Sequence, residues 1–184
     1  VVLFCALPTR EVTVIDTWHI DGMEGTGSHD LLIDDIFVPD YRTMDMTEMR
    51  NGTAHGARLY DNPLYRQPMI PFLGVTAAIS GVGAARAAVA QFRKQLAERV
   101  VHGTDMKQAE KPAAQMRLAN ANVMARTAEL LLRDAVNTNI ALARPEGRAD
   151  FIQRSHMRLQ IAQAMESCRQ AIMMVAEASG ASAH

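Results

Sequence analysis

Three long alanine-rich stretches, each bounded by proline or glycine, leave this chain few folds to choose from. Up to Pro68 the preceding segment is polar and broken; after it the composition turns helical. Val75, Ile79, Val82, Val89, Phe92 and Leu96 recur at threes and fours, which predicts a helix over residues 71–101 with that stripe buried. Gly74, Gly81, Gly83 and many alanines weaken intrinsic helicity but let a neighbouring helix come close. A second helix is expected from Pro112, a residue suited to a first turn, to about residue 142. Its inward residues read as Met116, Val123, Leu130 and Leu131, and Pro145 with Gly147 stops it. A third starts at an Asp150 cap and ends at Gly180, with Met157, Ile161, Ala164, Cys168, Ala171 and Val175 as its stripe. Each helix should reach ~45 Å at 1.5 Å per residue. Short links between such rods make neighbours antiparallel, so the product is an up-down bundle.

The first 40 residues follow a different rule. Residues 1–7, 12–18 and 29–38 are rich in β-branched residues and read as strands, the first two separated by Pro8, Thr9 and Arg10. Leu32, Ile36 and Val38 share one face of the third, and Asp34-Asp35 suggests a bulge or bend. Three strands close neither a sandwich nor a barrel, so further strands are expected upstream of Val1, in a longer protein of which this chain is a piece. Residues 41–68, with Asn51-Gly52 and Asn62-Pro63 as turn signals, read as a connector. The fold class is therefore α+β, predominantly α.

Composition narrows the partners. A formal net charge of -1 argues for neither nucleic acid nor an anionic membrane surface. No uninterrupted apolar run approaches the ~20 residues of a membrane span, so no membrane partner is expected. Cys5 and Cys168 lie far apart in dissimilar settings, which disfavours a disulfide and points to a reducing cytoplasm. Six scattered histidines without metal-ligand spacing argue against a metal site.

Several motifs dissolve on inspection. Residues 81–86, GVGAAR, mimic a dinucleotide fingerprint but lack its third glycine and lie inside a helix, where tight packing explains them. Ser28-His29-Asp30 holds triad residue types at adjacent positions, whereas triads assemble by spatial convergence. Asn51-Gly52-Thr53 reads as a turn rather than a glycosylation acceptor. Twelve methionines are read as core filling. Arg86, Asn120, Arg126 and Asp134 on otherwise apolar helices are expected to make contacts between helices or subunits.

One segment carries more information. Residues 16–30, DTWHIDGMEGTGSHD, set Gly22, Gly25 and Gly27 around the single tryptophan, and LLIDDIFVP follows. Glycines at 25 and 27 let the backbone take positive φ and approach a neighbour closely. A strand, a Gly-rich turn, a strand and a proline-ended exit resemble the end of the middle β-domain of the acyl-CoA dehydrogenase superfamily. The GTGS form after DTW is most similar to its flavin-dependent monooxygenase branch, the oxygenase components of two-component aromatic hydroxylases. The resemblance extends through the YDNPLYRQPMIPFLG linker and the three helices. It implies a division into residues 1–40 (end of the middle β-domain), 41–68 (linker) and 69–184 (helical bundle, to be completed by a fourth long helix).

The resemblance also implies a site. Trp18, Thr26 and Ser28 would line the flavin and substrate side. Arg99 near the end of the first long helix and Gln115 at the start of the second would reach flavin phosphates or adenosine of a neighbouring subunit, although the usual Phe-Gly after the arginine is absent. Physical chemistry allows it, since a guanidinium grips phosphate oxygens bidentately; it equally allows Arg99 as a solvated charge favourable to the helix dipole. ASGAS, residues 178–182, sits where relatives carry a Gly-rich flavin loop, so Gly180 joins the set; a plain helix cap explains it as well.

Two chemistries use this scaffold. A dehydrogenase removes an α-proton with a carboxylate, sited in one subgroup near the start of the first bundle helix, and oxidised FAD accepts hydride. A monooxygenase takes FMNH2 or FADH2 from a separate flavin reductase and oxygenates an aromatic or similar small substrate through a C4a-(hydro)peroxyflavin. Residues 68–81 hold no Asp or Glu, which with GTGS favours the monooxygenase. The catalytic base is assigned to no residue of this chain. The resemblance implies a homotetramer. The alternatives are an acyl-CoA dehydrogenase and, in a different class, a non-catalytic helical oligomerisation module.

Overall fold

A computed structural model of the chain describes residues 1–60, 62–143 and 150–179. Four short strands, β1 (Leu3–Cys5), β2 (Thr13–Ile15), β3 (Asp30–Leu32) and β4 (Thr43–Asp45), precede the helices. They form two antiparallel pairs. Phe4 sits opposite Met44 in β1–β4, and Val14 opposite Leu31 in β2–β3. The first strands fall where their β-branched residues predict, though shorter. Residues 29–38 do not form one strand: β3 ends at Leu32, and Asp35 takes a left-handed backbone, φ 46°, so the expected bend is where the ladder stops. Leu32 is consequently exposed rather than part of a buried face.

The connector is more ordered than its composition suggests. It contributes β4, then the short helices α1 (Met46–Asn51) and α2 (His55–Leu59). Asp45 caps α1, its Oδ1 accepting from Thr47 N at 2.7 Å. Gly52 closes it at φ +68°, donating its amide to Met49 O.

Three long helices follow: α3 (Met69–Glu98), α4 (Pro112–Leu142) and α5 (Phe151–Ser179), each packed on the other two. Asp150 caps α5 as predicted, with its Oδ1 accepting from Gln153 N and its own amide donating to Gln153 Oε1. Pro145, Gly147 and Gly180 lie outside the described residues.

Alanine builds the seam. Ala85, Ala128, Ala135, Ala164 and Ala171 are fully buried, with Val82, Phe92, Leu96, Leu132 and Met157 filling around them. Two stripes need correction. Ile79 is exposed, and α3 buries Ala78, Val82 and Ala85 instead. On α4 the face turns by more: Met116, Val123 and Leu130 are exposed, Leu131 is half-buried, and Ala121, Ala125, Ala128, Leu132 and Ala135 form the core. Ranking residues by hydrophobicity picks the large side chains, whereas close helix approach selects the small ones. The α5 stripe stands, with Ile161 at its margin. One further expectation shifts: α3 is long and apolar enough by length and hydropathy (mean 1.5 over its best window) to cross a membrane. Glycine, serine and threonine among its apolar residues hide this from a run-length reading, and its buried face packs on α4 and α5.

Of the polar residues expected to link helices, Asp134 and Arg86 do so, whereas Arg126 pairs within α4. Asp134 Oδ2 on α4 accepts from Gln160 Nε2 on α5 at 2.5 Å. Glu129 gathers Arg133 at 2.8 Å, Arg126 at 3.0 Å and, from α3, Arg86 at 3.8 Å. Cys5 is exposed and Cys168 buried, both as free thiols, and burial pushes the Cys168 thiol up.

Candidate functional site

The sequence-predicted residues assemble in two places. The first is the loop between β2 and β3. Trp18 Nε1 donates to Met23 O at 3.1 Å, and Thr26 Oγ1 donates to the same carbonyl at 2.8 Å. One backbone oxygen thus draws both ends of the loop together. The left-handed positions that allow this are Gly22 (φ 76°), Met23 (φ 56°) and Gly27 (φ 59°); Gly25 is not among them. Met23 is strained, being neither glycine nor asparagine in that region. Ser28 is exposed on the same loop.

His29, set aside as a triad member, is what anchors the loop base. Its Nδ1 receives the amides of Thr17 and Trp18 at 3.3 Å each, and Asp16 Oδ1 lies 3.2 Å away. Asp30 N donates to Thr17 Oγ1, locking the two strand ends. The sequence signal was present in the strand pairing, which sets residue 17 near residue 29 once Ile15 faces Asp30. Trp18, His19, Asp21 and Glu24 line a hollow of about 510 Å³ on this loop.

The second place is one end of the bundle. Arg99 ends α3, half-buried, and its Nη1 donates to Ser179 O at 3.1 Å. That contact ties the end of α3 to the end of α5. Arg99 O accepts from Gln108 N, and Gln115 Nε2 donates to Ala109 O at 2.8 Å, so both residues hold the same short turn before α4. Arg99, Gln115 and the last described residue of α5 therefore meet at one end. Gly180 itself is outside the described residues.

Gln115 also lines a groove of about 590 Å³ between α3 and α4, with Arg86, Arg93, Asn122 and Arg126. Arg86 and Arg126 share Glu129, whose carboxyl is held below the usual carboxylate range by the Arg133 and then the Arg126 hydrogen bonds. With three guanidinium groups against one carboxylate, the groove is net cationic. Arg93 has no ion-pair or hydrogen-bond partner among the described residues. Sequence reading took Arg86 and Arg126 as structural and passed over Arg93, although Arg86 and Arg93 stand seven apart on one helix face. The Trp18 hollow and this groove share no residue.

A flavin's demands can be set against these two sites. Its phosphates need cationic donors, which the α3–α4 groove supplies in Arg93, Arg86 and Gln115. Its ring system needs a polar loop with an aromatic wall, and the Trp18 loop presents one. The donor chemistry fits.

Comparison with known proteins bears on the same question. The family described as acyl-CoA dehydrogenase, C-terminal domain, matches residues 75–184. A pigment production hydroxylase of Rhodococcus sp. (strain ATCC 21145) is 39% identical over 170 residues, 92% of this chain and 43% of that protein. The oxygenase component of an FADH2-dependent resorcinol hydroxylase of Rhizobium sp. (strain MTP-10005) is 35% identical over 155 residues, 80% of this chain and 38% of that protein. Among solved structures, XiaF from Streptomyces sp., in complex with FADH2 and glycerol, superimposes with a TM-score of 0.83 at 26% identity, covering 98% of this chain and 46% of XiaF. The chain spans less than half the length of each of these relatives. Matched over more than half of its own length, it belongs to the acyl-CoA dehydrogenase family through that C-terminal domain.

Proposed function

We propose that this chain is the flavin-holding portion of the oxygenase component of a two-component flavin-dependent monooxygenase. The observation that carries the reading is the alignment of a hydroxylase over 92% of the chain, Trp18 loop and bundle together. The cofactor of the reading is reduced flavin, FADH2 in preference to FMNH2, supported by the FADH2 named for two relatives. The partners are an aromatic substrate, a separate flavin reductase and further copies of the chain in a homotetramer, in the cytoplasm.

Each residue then has a task. Arg99 and Gln115 hold the phosphate-bearing end, with Arg93 adding charge in the groove that Gln115 lines. Trp18, Thr26 and Ser28 wall the ring side, and Gly180 brings backbone to it. Bound reduced flavin would supply the oxygen activation that no side chain can perform. The protein's share is to orient it and keep water out. The first turn of α3 carries no acid, so the carboxylate that one dehydrogenase subgroup places there is missing.

The test uses full-length protein, a flavin reductase with NADH, and a panel of phenols. Oxygen-dependent hydroxylation, with 18O from labelled O2 in the product, is the expected outcome. Bleaching of bound oxidised flavin by an acyl-CoA, without hydroxylation, would replace the reading with a dehydrogenase. Failure to bind flavin in either redox state would leave a helical assembly module.

A further inference from the structure

A second cationic cleft lies away from both flavin-facing sites. It has a volume of about 420 Å³ and opens between α1 and the first turns of α3 and α5. Arg50 from α1 and Arg154 and Arg158 from α5 line it. Among the described residues no carboxylate does. Glu48 on α1 is committed to Arg58 at 3.2 Å, and Asp150 is committed to the amide of Gln153. Among the described residues Arg50 and Arg158 have no ion-pair or hydrogen-bond partner.

That arrangement contrasts with the α3–α4 groove, where Glu129 answers two of the arginines. Arg50 and Arg158 are like charges on one concavity and repel each other, and an anion between them relieves the repulsion. Thr47, Asn51 and Ser155 add uncharged polar groups at the wall. Ile70 and Phe151 give the cleft an apolar side. Such a mixture matches an anionic head on an apolar body, with guanidinium groups taking the oxygens and the aromatic side taking the rest.

We propose that this cleft binds a small organic anion, a carboxylate or phosphate monoester carrying an aryl or alkyl group, through Arg50, Arg154 and Arg158. It shares no residue with the Trp18 hollow or the α3–α4 groove, so it stands whether or not the flavin reading does.

Calorimetric titration of the full-length protein at low salt tests this, with benzoate and phenyl phosphate as probes and benzyl alcohol as the neutral comparator. At least one anion should bind and the alcohol should not. Binding of benzoate alone assigns a carboxylate ligand; binding of phenyl phosphate alone assigns a phosphate monoester. The double variant Arg50→Gln/Arg158→Gln should raise Kd at least tenfold, and Arg10→Gln, on the remote strand region, less than twofold. Should circular dichroism show the double variant misfolded, Ser155→Glu, which brings a carboxylate into the cleft, should produce the same loss. Binding of neither anion, equal binding of benzyl alcohol, or a loss caused by Arg93→Gln and not by the cleft variants overturns the proposal. The last result would seat the anion in the α3–α4 groove.

Discussion

Gly52 ends α1 in the left-handed region at φ +68°, and a Cβ built there would fall 2.0 Å from Arg66 O. Strain and collision act together, because the clashing atom is backbone and cannot rotate away. Gly52→Ala should therefore destabilise the full-length protein by about 2 kcal/mol or more, read as a shift of the urea midpoint. A change under about 0.5 kcal/mol would mean that the 62–66 segment moves freely. Gly81 makes an instructive contrast: its added Cβ would meet Met165 Cε at 2.6 Å, the far end of a flexible side chain. The Asn51-Gly52 pair reads as a turn from sequence alone, since few residues take positive φ. That Arg66 presses on it is invisible there, because the contact spans residues whose approach only the folded connector creates.

Helix existence and extent follow from local chemistry. Pro112, Asp150 and the Ala-rich runs place the ends of α4 and the start of α5 within a residue or so. Which face turns inward depends on partners. On α4 the large side chains Met116, Val123 and Leu130 point outward while Ala121, Ala125 and Ala128 face α3 and α5. Two opposite substitutions test this directly. Ala128→Leu should cost about 1–3 kcal/mol by overpacking the seam. Val123→Ala should cost no more than about 0.5 kcal/mol if the face stays solvated. Equal costs for the pair in thermal unfolding would return the sequence-predicted stripe; a large Val123→Ala cost in the full-length protein alone would show that face covered there.

Across the whole molecule, charge pairs set along the helices shape how stability responds to acid. Arg169 and then Gln170 hold the Glu166 carboxyl down at about 2, against an ordinary value of 4.5. Glu129 is lowered in the same sense by Arg133 and Arg126. A carboxylate whose folded-state value is depressed contributes fully above its unfolded value and loses that contribution as pH falls toward the folded one. Urea stability should then be level above about pH 5 and decline from about pH 4.5 toward 2. Glu166→Gln should flatten part of that slope; an unchanged slope would separate Glu166 from acid unfolding. The Trp18 loop and the Arg99–Gln115 end were readable as residue types at given spacings. Their partners were not, since Met23 O, Ser179 O and Ala109 O are backbone acceptors that no side-chain pattern advertises. By itself the sequence determined the number and length of the long helices, the β-to-α order and the family, because propensity, capping and motif are written within a few neighbouring residues. Only tertiary structure decided the buried face of α4, the pairing of β1 with β4 and the gathering of arginines in two clefts, because those depend on which distant backbones can approach closely enough to touch.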